Sequence, residues 1–203
     1  MKRKEKELKM MLGGKGCKTT CKVLSVVSII IEIIFIIAAV AVSISGIVIG
    51  LGHNDLNLNE MIASVNTELE NSGVTITGSA IENFMSFSHG QQVSFILFGI
   101  AVAAVVFIFM SIVARNVYKI FKNLAHDKTP FKLENVDLLQ KIAVWIFIST
   151  AMIDVSSAVL SGVLNNGAMR LSISLSYYAV GFMLLVLAVV FRHGCELEKK
   201  ARK

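Results

Sequence analysis

Four long runs of apolar residues alternate with polar and charged segments along the chain. They cover residues 23–51, 93–114, 142–164 and 174–191. An α-helix needs about 20 residues to cross the hydrocarbon core of a bilayer, and each run has or approaches that length. We therefore predict an all-α, polytopic membrane protein with four transmembrane helices, in which one membrane domain covers residues 23–191.

The first apolar run follows a basic segment, and a cleaved signal peptide has the same order of segments. Its apolar part is, however, about twice as long as the core of a signal peptide, and no small-residue cleavage site closes it. We therefore expect a retained transmembrane helix after a basic tail at residues 1–22. A second basic tail, at residues 192–203, follows the fourth run.

The composition agrees with a membrane protein. Of the 203 residues, 55% are hydrophobic and 17% are charged, and the mean hydropathy is +0.70. Soluble domains contain about 25% charged residues, so this chain lacks the polar side chains to cover a water-soluble core. The net charge of +6 does not indicate direct nucleic-acid binding, because the basic tail has neither interleaved aromatic residues nor a recognition motif.

The positions of Lys and Arg predict the orientation in the membrane. Nineteen of the twenty fall in residues 1–22, 115–141 and 192–203, whereas residues 52–92 contain none. The positive-inside rule assigns the basic segments to the cytoplasm. Both termini are therefore expected to be cytoplasmic, and residues 52–92 extracytoplasmic. The basic side chains beside the membrane are expected to meet anionic lipid headgroups at the cytoplasmic face.

The extracytoplasmic segment, residues 52–92, has the pattern of two short amphipathic helices. Asn57-x-x-Glu60 and Ser79-x-x-Glu82 are capping-box patterns, and apolar residues at helical spacing follow each of them. Such helices would lie on the membrane surface or pack over the ends of the crossings. The pattern is compatible with a structural lid and with a ligand-sensing cap.

Two acidic residues, Glu32 and Asp154, lie inside apolar runs. At 1.5 Å per residue, each is expected about 13–18 Å beyond the cytoplasmic boundary of its crossing. No Lys or Arg lies in the middle of a crossing to pair with them. A polar stripe along the third helix consists of Thr150, Asp154, Ser157 and Ser161. These groups would face the bundle interior, either as a proton or cation path or as hydrogen bonds between helices.

No recognisable catalytic or metal-binding motif occurs. Cys17, Cys21 and Cys195 all lie in segments expected to be cytoplasmic, and their spacing is not that of a zinc site. We expect a non-enzymatic protein with no catalytic residue, no metal and no cofactor. Gly99-x-x-x-Ala103 forms a small-residue face, which we assign to packing within the bundle. The sequence leaves open whether copies of the chain form a homo-oligomer.

Residues 115–141 contain the only proline and are expected to form a cytoplasmic hinge. The second helix is expected to continue to about Leu124. A new helix would then begin with Thr129 as its N-cap and Pro130 in the first helical position. The apolar residues from Phe131 onward would give this helix an amphipathic face leading into the third crossing.

Two short blocks of the chain resemble a bacterial membrane protein family catalogued as domain of unknown function 2975. The first block consists of Pro130, Phe131, Glu134, Asn135, Val136 and Leu139, and the second of Phe191, Arg192, Gly194 and Leu197. The resemblance implies four crossings, a location in the bacterial cell membrane, and a small cytoplasmic helix-turn-helix DNA-binding regulator as partner. One difference is the tail, which is acidic in the family and basic over residues 199–203 here.

The sequence therefore yields hypotheses of different classes. The leading one is a non-enzymatic regulatory or sensory partner of a cytoplasmic regulator, with the hinge and the C-terminal block as its binding surfaces. The alternative is a small transporter, channel or immunity-type membrane protein that uses Glu32 and Asp154. A third is a purely structural subunit of a larger complex.

Overall fold

The computed structural model describes residues 15–52, 60, 78–126, 132–164 and 173–201. Of these residues, 96% are helical and none belongs to a strand, which confirms the all-α class for the described chain. The helices in it are α1 (Lys15–Gly52), α2 (Gly78–Met85), α3 (His89–His126), α4 (Leu133–Leu164) and α5 (Leu175–Ala201).

Four of these helices have the length and composition of membrane-spanning segments. The segments are Lys18–Gly52, His89–His126, Leu133–Leu164 and Leu175–Leu197, and their most apolar windows have mean hydropathies of 3.0, 3.0, 1.8 and 1.9. Large apolar side chains are exposed along all four helices. A water-soluble protein rarely exposes apolar surface of this extent, whereas a bilayer accommodates it. The prediction of four helices able to span a membrane is confirmed.

The helices extend beyond the predicted crossings at the ends that the sequence assigns to the cytoplasm. α1 includes residues 15–22, α3 includes 115–126, α4 includes 133–141 and α5 includes 192–201. The end predicted for α3 at Leu124 is therefore too early, since the helix continues to His126. Adding a residue to an existing helix is much easier than starting a new one. Large parts of the predicted tails and hinge are thus continuations of the membrane helices.

The helix that leads into the third crossing begins later than expected. The carbonyl oxygen of Lys132 accepts hydrogen bonds from the backbone amides of Asn135, at 3.0 Å, and Val136, at 3.3 Å. Lys132 therefore holds the N-cap position that the sequence assigns to Thr129, which lies with Pro130 outside the described residues. Asn135 and Val136 are buried in the first turn.

The short helix α2 lies where the sequence predicts the second amphipathic helix of residues 52–92. At its end, the amide of Ser86 donates to the carbonyl oxygen of Glu82, and the amide of Phe87 donates to that of Phe84. Phe84 is buried, and its ring packs edge-on against Phe95 with 5.4 Å between centroids. The first predicted amphipathic helix falls outside the described residues, except for Glu60, which is helical.

The chain divides into two compact units. The first consists of the described residues within Met1–Ile37, Phe107–Thr150 and Ser174–Lys203. Pairs of aromatic rings join its helices, with centroid distances of 6.2 Å for Phe35 and Phe107, 5.0 Å for Phe109 and Trp145, and 6.0 Å for Phe147 and Tyr178. Large side chains thus fill the space between α1, α3, α4 and α5 in this unit.

The second unit consists of the described residues within Ala38–Val106 and Ala151–Ile173. Side-chain amides connect its helix ends. Asn83 Nδ2 donates to the carbonyl oxygen of Leu164 at 2.6 Å, and Gln92 Nε2 donates to that of Phe84 at 3.1 Å. Both bonds are to backbone carbonyls in the last turn of a helix, and that of Phe84 also accepts from the amide of Phe87.

Close helix packing in the second unit uses a different glycine from the one expected. A Cβ atom added at Gly46 would lie 2.8 Å from Cγ2 of Ile100, so α1 and α3 approach closely at this point. At Gly99 an added Cβ would meet no atom of the described chain within 4 Å. The assignment of Gly99 to close packing is therefore wrong, because spacing alone does not show which face of a helix meets its neighbour.

Candidate functional site

A hydrophobic cluster connects α3, α4 and α5 in the first unit. We call it the junction cluster, and it consists of Val136, Leu139 and Ala188 with Ile120, Leu184, Phe191 and Cys195 packed against them. Val136 is 2% exposed and Ala188 is fully buried. The cluster brings together the two blocks that carry the family resemblance, since Val136 and Leu139 come from the first and Phe191 from the second.

A pair of asparagines adds a polar contact between α3 and α4. Nδ2 of Asn123 donates to Oδ1 of Asn135 at 3.0 Å, and the side chain of Asn135 is buried. A buried amide without such a bond would destabilise the fold by about 1–3 kcal/mol. Asn135 therefore fixes the relative positions of the two helices. The sequence pattern gave no indication of Asn123 as its partner.

The structure changes the role of several residues predicted to bind a partner. Asn135, Val136 and Leu139 lie inside the packing, so they support the surface and are not available to a second protein. Glu134 is exposed. Pro130 and Phe131 lie outside the described residues.

The C-terminal block likewise contains both packed and exposed residues. Phe191 packs against the junction cluster, and Gly194 is half-buried. Arg192 is exposed, and 65% of Leu197 is exposed. Only the last two are therefore placed to contact another molecule.

Two cavities lie side by side on the outer face of α4 in the first unit. One has a volume of about 380 Å³ and is lined by Lys119, Lys122, Asn123, Glu134, Asp137, Leu138 and Lys141. We call it the charged groove. The other has a volume of about 350 Å³ and is lined by Asp137, Gln140, Lys141, Val144, Trp145 and Ile148. They share Asp137 and Lys141, so a polar cavity continues into a largely apolar one.

Glu32 has an ionic partner that the sequence did not predict. Its Oε1 lies 3.9 Å from Nε of Arg115, and the side chains are 18% and 67% exposed. The expectation that no cation pairs with Glu32 is therefore wrong. The long, flexible side chain of arginine reaches inward from the end of a crossing, whereas the sequence analysis considered only cations in the middle of crossings.

The contact with Arg115 also bears on the expected depth of Glu32. Arg115 closes the second predicted crossing, so the contact shows that the side chain of Glu32 lies within reach of a residue at the predicted membrane boundary. The part of α1 from Ile33 to Gly52 still has about the 20 residues that a crossing requires.

The polar stripe on α4 is only partly buried. Thr150 and Asp154 are buried, Ser161 is half-buried and Ser157 is exposed. The hydroxyl groups of Thr150 and Ser161 donate to backbone carbonyls of their own helix at 2.8 and 2.9 Å. These bonds satisfy the hydroxyls locally, as is common for Ser and Thr in helices. A continuous line of four inward-facing polar groups is not observed.

A third cavity lies in the second unit, at the beginning of α3. Its volume is about 590 Å³, and aromatic and aliphatic side chains dominate its lining, among them Phe87, Phe95, Phe98 and Leu160. Ser88 precedes α3, and its amide and hydroxyl both donate to Oε1 of Gln91 at 3.0 Å. Ser88-x-x-Gln91 is a capping-box spacing that could have been read from the sequence.

Within the described residues, no group of three or more His, Cys, Asp or Glu side chains is arranged to hold a metal ion. No protein family model, curated protein or solved structure matches the chain. The resemblance to the family of unknown function therefore rests on the two sequence blocks alone.

Proposed function

We propose that this chain is a non-enzymatic, multi-pass protein of the bacterial cytoplasmic membrane that binds a cytoplasmic regulatory protein. The family resemblance suggests that this partner is a small helix-turn-helix DNA-binding regulator. The proposal takes both termini as cytoplasmic, because nineteen of the twenty basic residues lie in the segments that would then face the cytoplasm.

The observation that carries the proposal is the pair of apolar side chains exposed where α4 begins and α5 ends. Leu133 is 60% exposed and Leu197 is 65% exposed, and both lie outside the predicted crossings. The junction cluster holds the two helices in place beneath them. In the predicted topology both side chains face the cytoplasm, where another protein could bury them, and this supports the proposal.

The transport hypothesis has less support. It needs intramembrane acids that line a path, but Glu32 lies near an exposed arginine at the predicted membrane boundary. On α4, the hydroxyls of Thr150 and Ser161 are bound within their own helix.

The orientation can be tested by labelling single cysteines with a membrane-impermeant maleimide in intact cells. A chain with Cys17, Cys21 and Cys195 replaced by Ser would carry either Glu60→Cys or Lys200→Cys. We expect labelling of E60C in intact cells, and of K200C only after permeabilisation. Labelling of K200C in intact cells would contradict the proposed topology and with it a cytoplasmic partner.

The partner can be tested with a photo-crosslinking amino acid in place of Leu197 in cells. We expect an adduct with a soluble protein that mass spectrometry identifies as a helix-turn-helix regulator, and its loss when Leu133→Asp is added. The same crosslinker at Val186, which is exposed in the middle of the fourth predicted crossing, is the control and should give no such adduct. Identical adducts at both positions, or none at Leu197, would exclude this surface as the binding site.

A further inference from the structure

The charged groove collects five charged side chains that do not neutralise one another. Lys119 and Lys122 come from α3, and Glu134, Asp137 and Lys141 from α4. In the described chain, no ion pair joins any of these five to another residue. Lys122 instead lies over the ring of Tyr118, 5.7 Å from its centroid. Asp137 and Lys141 are one helical turn apart, a spacing at which pairing is easy, yet both charges remain available to a ligand.

The mixture of charges limits the chemistry of that ligand. Three ammonium groups suit a phosphate, to which lysine donates charge-assisted hydrogen bonds. Two carboxylates in the same groove would repel a purely anionic molecule, but they accept hydrogen bonds from a primary ammonium group. A ligand that carries one phosphate and one primary ammonium therefore complements the groove better than a phosphate alone.

The neighbouring cavity extends the groove toward the membrane. From Lys141, which lies just before the third predicted crossing, it continues over Val144, Trp145 and Ile148. The distance from Lys141 to Ile148 along the helix is about 10 Å at 1.5 Å per residue. Tryptophan is enriched at the level of lipid headgroups, and the ring of Trp145 is held against Phe109. A ligand with an apolar chain attached to its polar group can occupy both cavities.

We propose that the charged groove and the adjoining cavity bind one phosphatidylethanolamine-type phospholipid from the leaflet on this side of the membrane. Lys119, Lys122 and Lys141 bind the phosphate. Glu134 and Asp137 accept hydrogen bonds from the ammonium group. The first part of an acyl chain lies along Val144, Trp145 and Ile148. None of the residues that line the two cavities is Leu133 or Leu197, the residues proposed to contact the partner.

The test is native mass spectrometry of the full chain in detergent with added lipids that share the same acyl chains. We expect phosphatidylethanolamine to bind about tenfold more tightly than phosphatidylcholine, whose trimethylammonium group has no N–H donor. Phosphatidylethanolamine should also bind more tightly than phosphatidylglycerol, which has no ammonium group. Equal binding of the three lipids, or preference for phosphatidylglycerol, would overturn the assignment. Equally tight binding of soluble phosphoethanolamine would show a soluble ligand and refute the lipid.

Two variants separate the contributions of the charges. Glu134→Gln with Asp137→Asn should remove the preference for phosphatidylethanolamine over phosphatidylcholine while lipid binding persists. Lys119→Gln with Lys141→Gln should weaken binding of all three lipids. These side chains are exposed, so the substitutions should leave the fold intact. The matched control is Glu196→Gln, an exposed acid on α5, which should change nothing. Variants that bind like the unmodified chain would refute the site.

Discussion

Substitution of Val136 by Ala tests whether the junction cluster stabilises the fold in the way that its burial implies. Val136 is 2% exposed and packs at the centre of the cluster. The substitution removes two methyl groups. At about 0.8 kcal/mol for each buried carbon, the lost transfer free energy is about 1.6 kcal/mol. The cavity that remains adds to this loss, so we expect the free energy of unfolding to fall by about 2–3 kcal/mol.

The protein contains a suitable fluorescent probe for this measurement. Trp145 is the sole tryptophan of the chain, and it packs against Phe109 two and a half turns from Val136 on the same helix. Its emission should report loss of contact between α3 and α4 as the fraction of sodium dodecyl sulfate in mixed micelles increases. The matched control is Val155→Ala, because Val155 is also on α4 but is 58% exposed. The control should change the free energy of unfolding by less than about 0.5 kcal/mol.

The comparison of the two variants can contradict the proposed packing directly. If V136A and V155A lower the free energy of unfolding equally, the junction cluster does not exist as described. A loss of less than about 1 kcal/mol for V136A would also be informative. It would mean that the cluster lies within the hydrocarbon core, where lipid is as apolar as the protein and burial gives little gain. Leu184, Ala188 and Phe191 belong to the fourth predicted crossing, so only the part of the cluster on α3 and α4 is expected to lie next to water.

Two further sets of substitutions test contacts of the fold. A double-mutant cycle compares Asn123→Ala, Asn135→Ala and the variant with both substitutions. We expect a coupling energy of about 1 kcal/mol, because the two side chains share a hydrogen bond. Additive effects of the two substitutions would contradict that bond. Gly46→Ala should destabilise the fold by about 1–3 kcal/mol, because the new methyl group meets Ile100 at 2.8 Å. At Gly99 an added methyl group would meet no atom of the described chain within 4 Å, so Gly99→Ala should be neutral or stabilising in the same sodium dodecyl sulfate unfolding assay. Equal effects of the two substitutions would refute the close approach at Gly46.

The sequence predicted the four membrane helices because their signal is repeated over many residues. Each run has about the length of a bilayer and few charges, so one misjudged residue does not change the result. Helix ends depend on single contacts and were less predictable. Thr129 and Pro130 form a good local start signal, yet α4 begins at Leu133, where Asn135 and Val136 become buried against neighbouring helices. The sequence pattern of one helix does not show which neighbouring helices will bury its residues.

The polar contacts show the same limit for the candidate sites. Glu32 was recognisable as an unusual residue, but its partner Arg115 lies on another helix, at the edge of a crossing. The polar stripe was drawn from spacing on an isolated helix, and the neighbouring helices leave Ser157 exposed and Ser161 half-buried. Periodicity shows which residues share a face. Only the packed structure shows where that face points.

The family resemblance has to be weighed by where its residues lie. Val136, Leu139 and Phe191 meet in the junction cluster, and Asn135 is bound to Asn123. Agreement at buried positions is what shared packing requires. Likeness at these buried positions is therefore no argument for a shared partner. A shared partner would require likeness at exposed positions, such as Leu133 and Leu197. Crosslinking and substitution at these two positions, and not at the buried motif, therefore test the regulatory hypothesis.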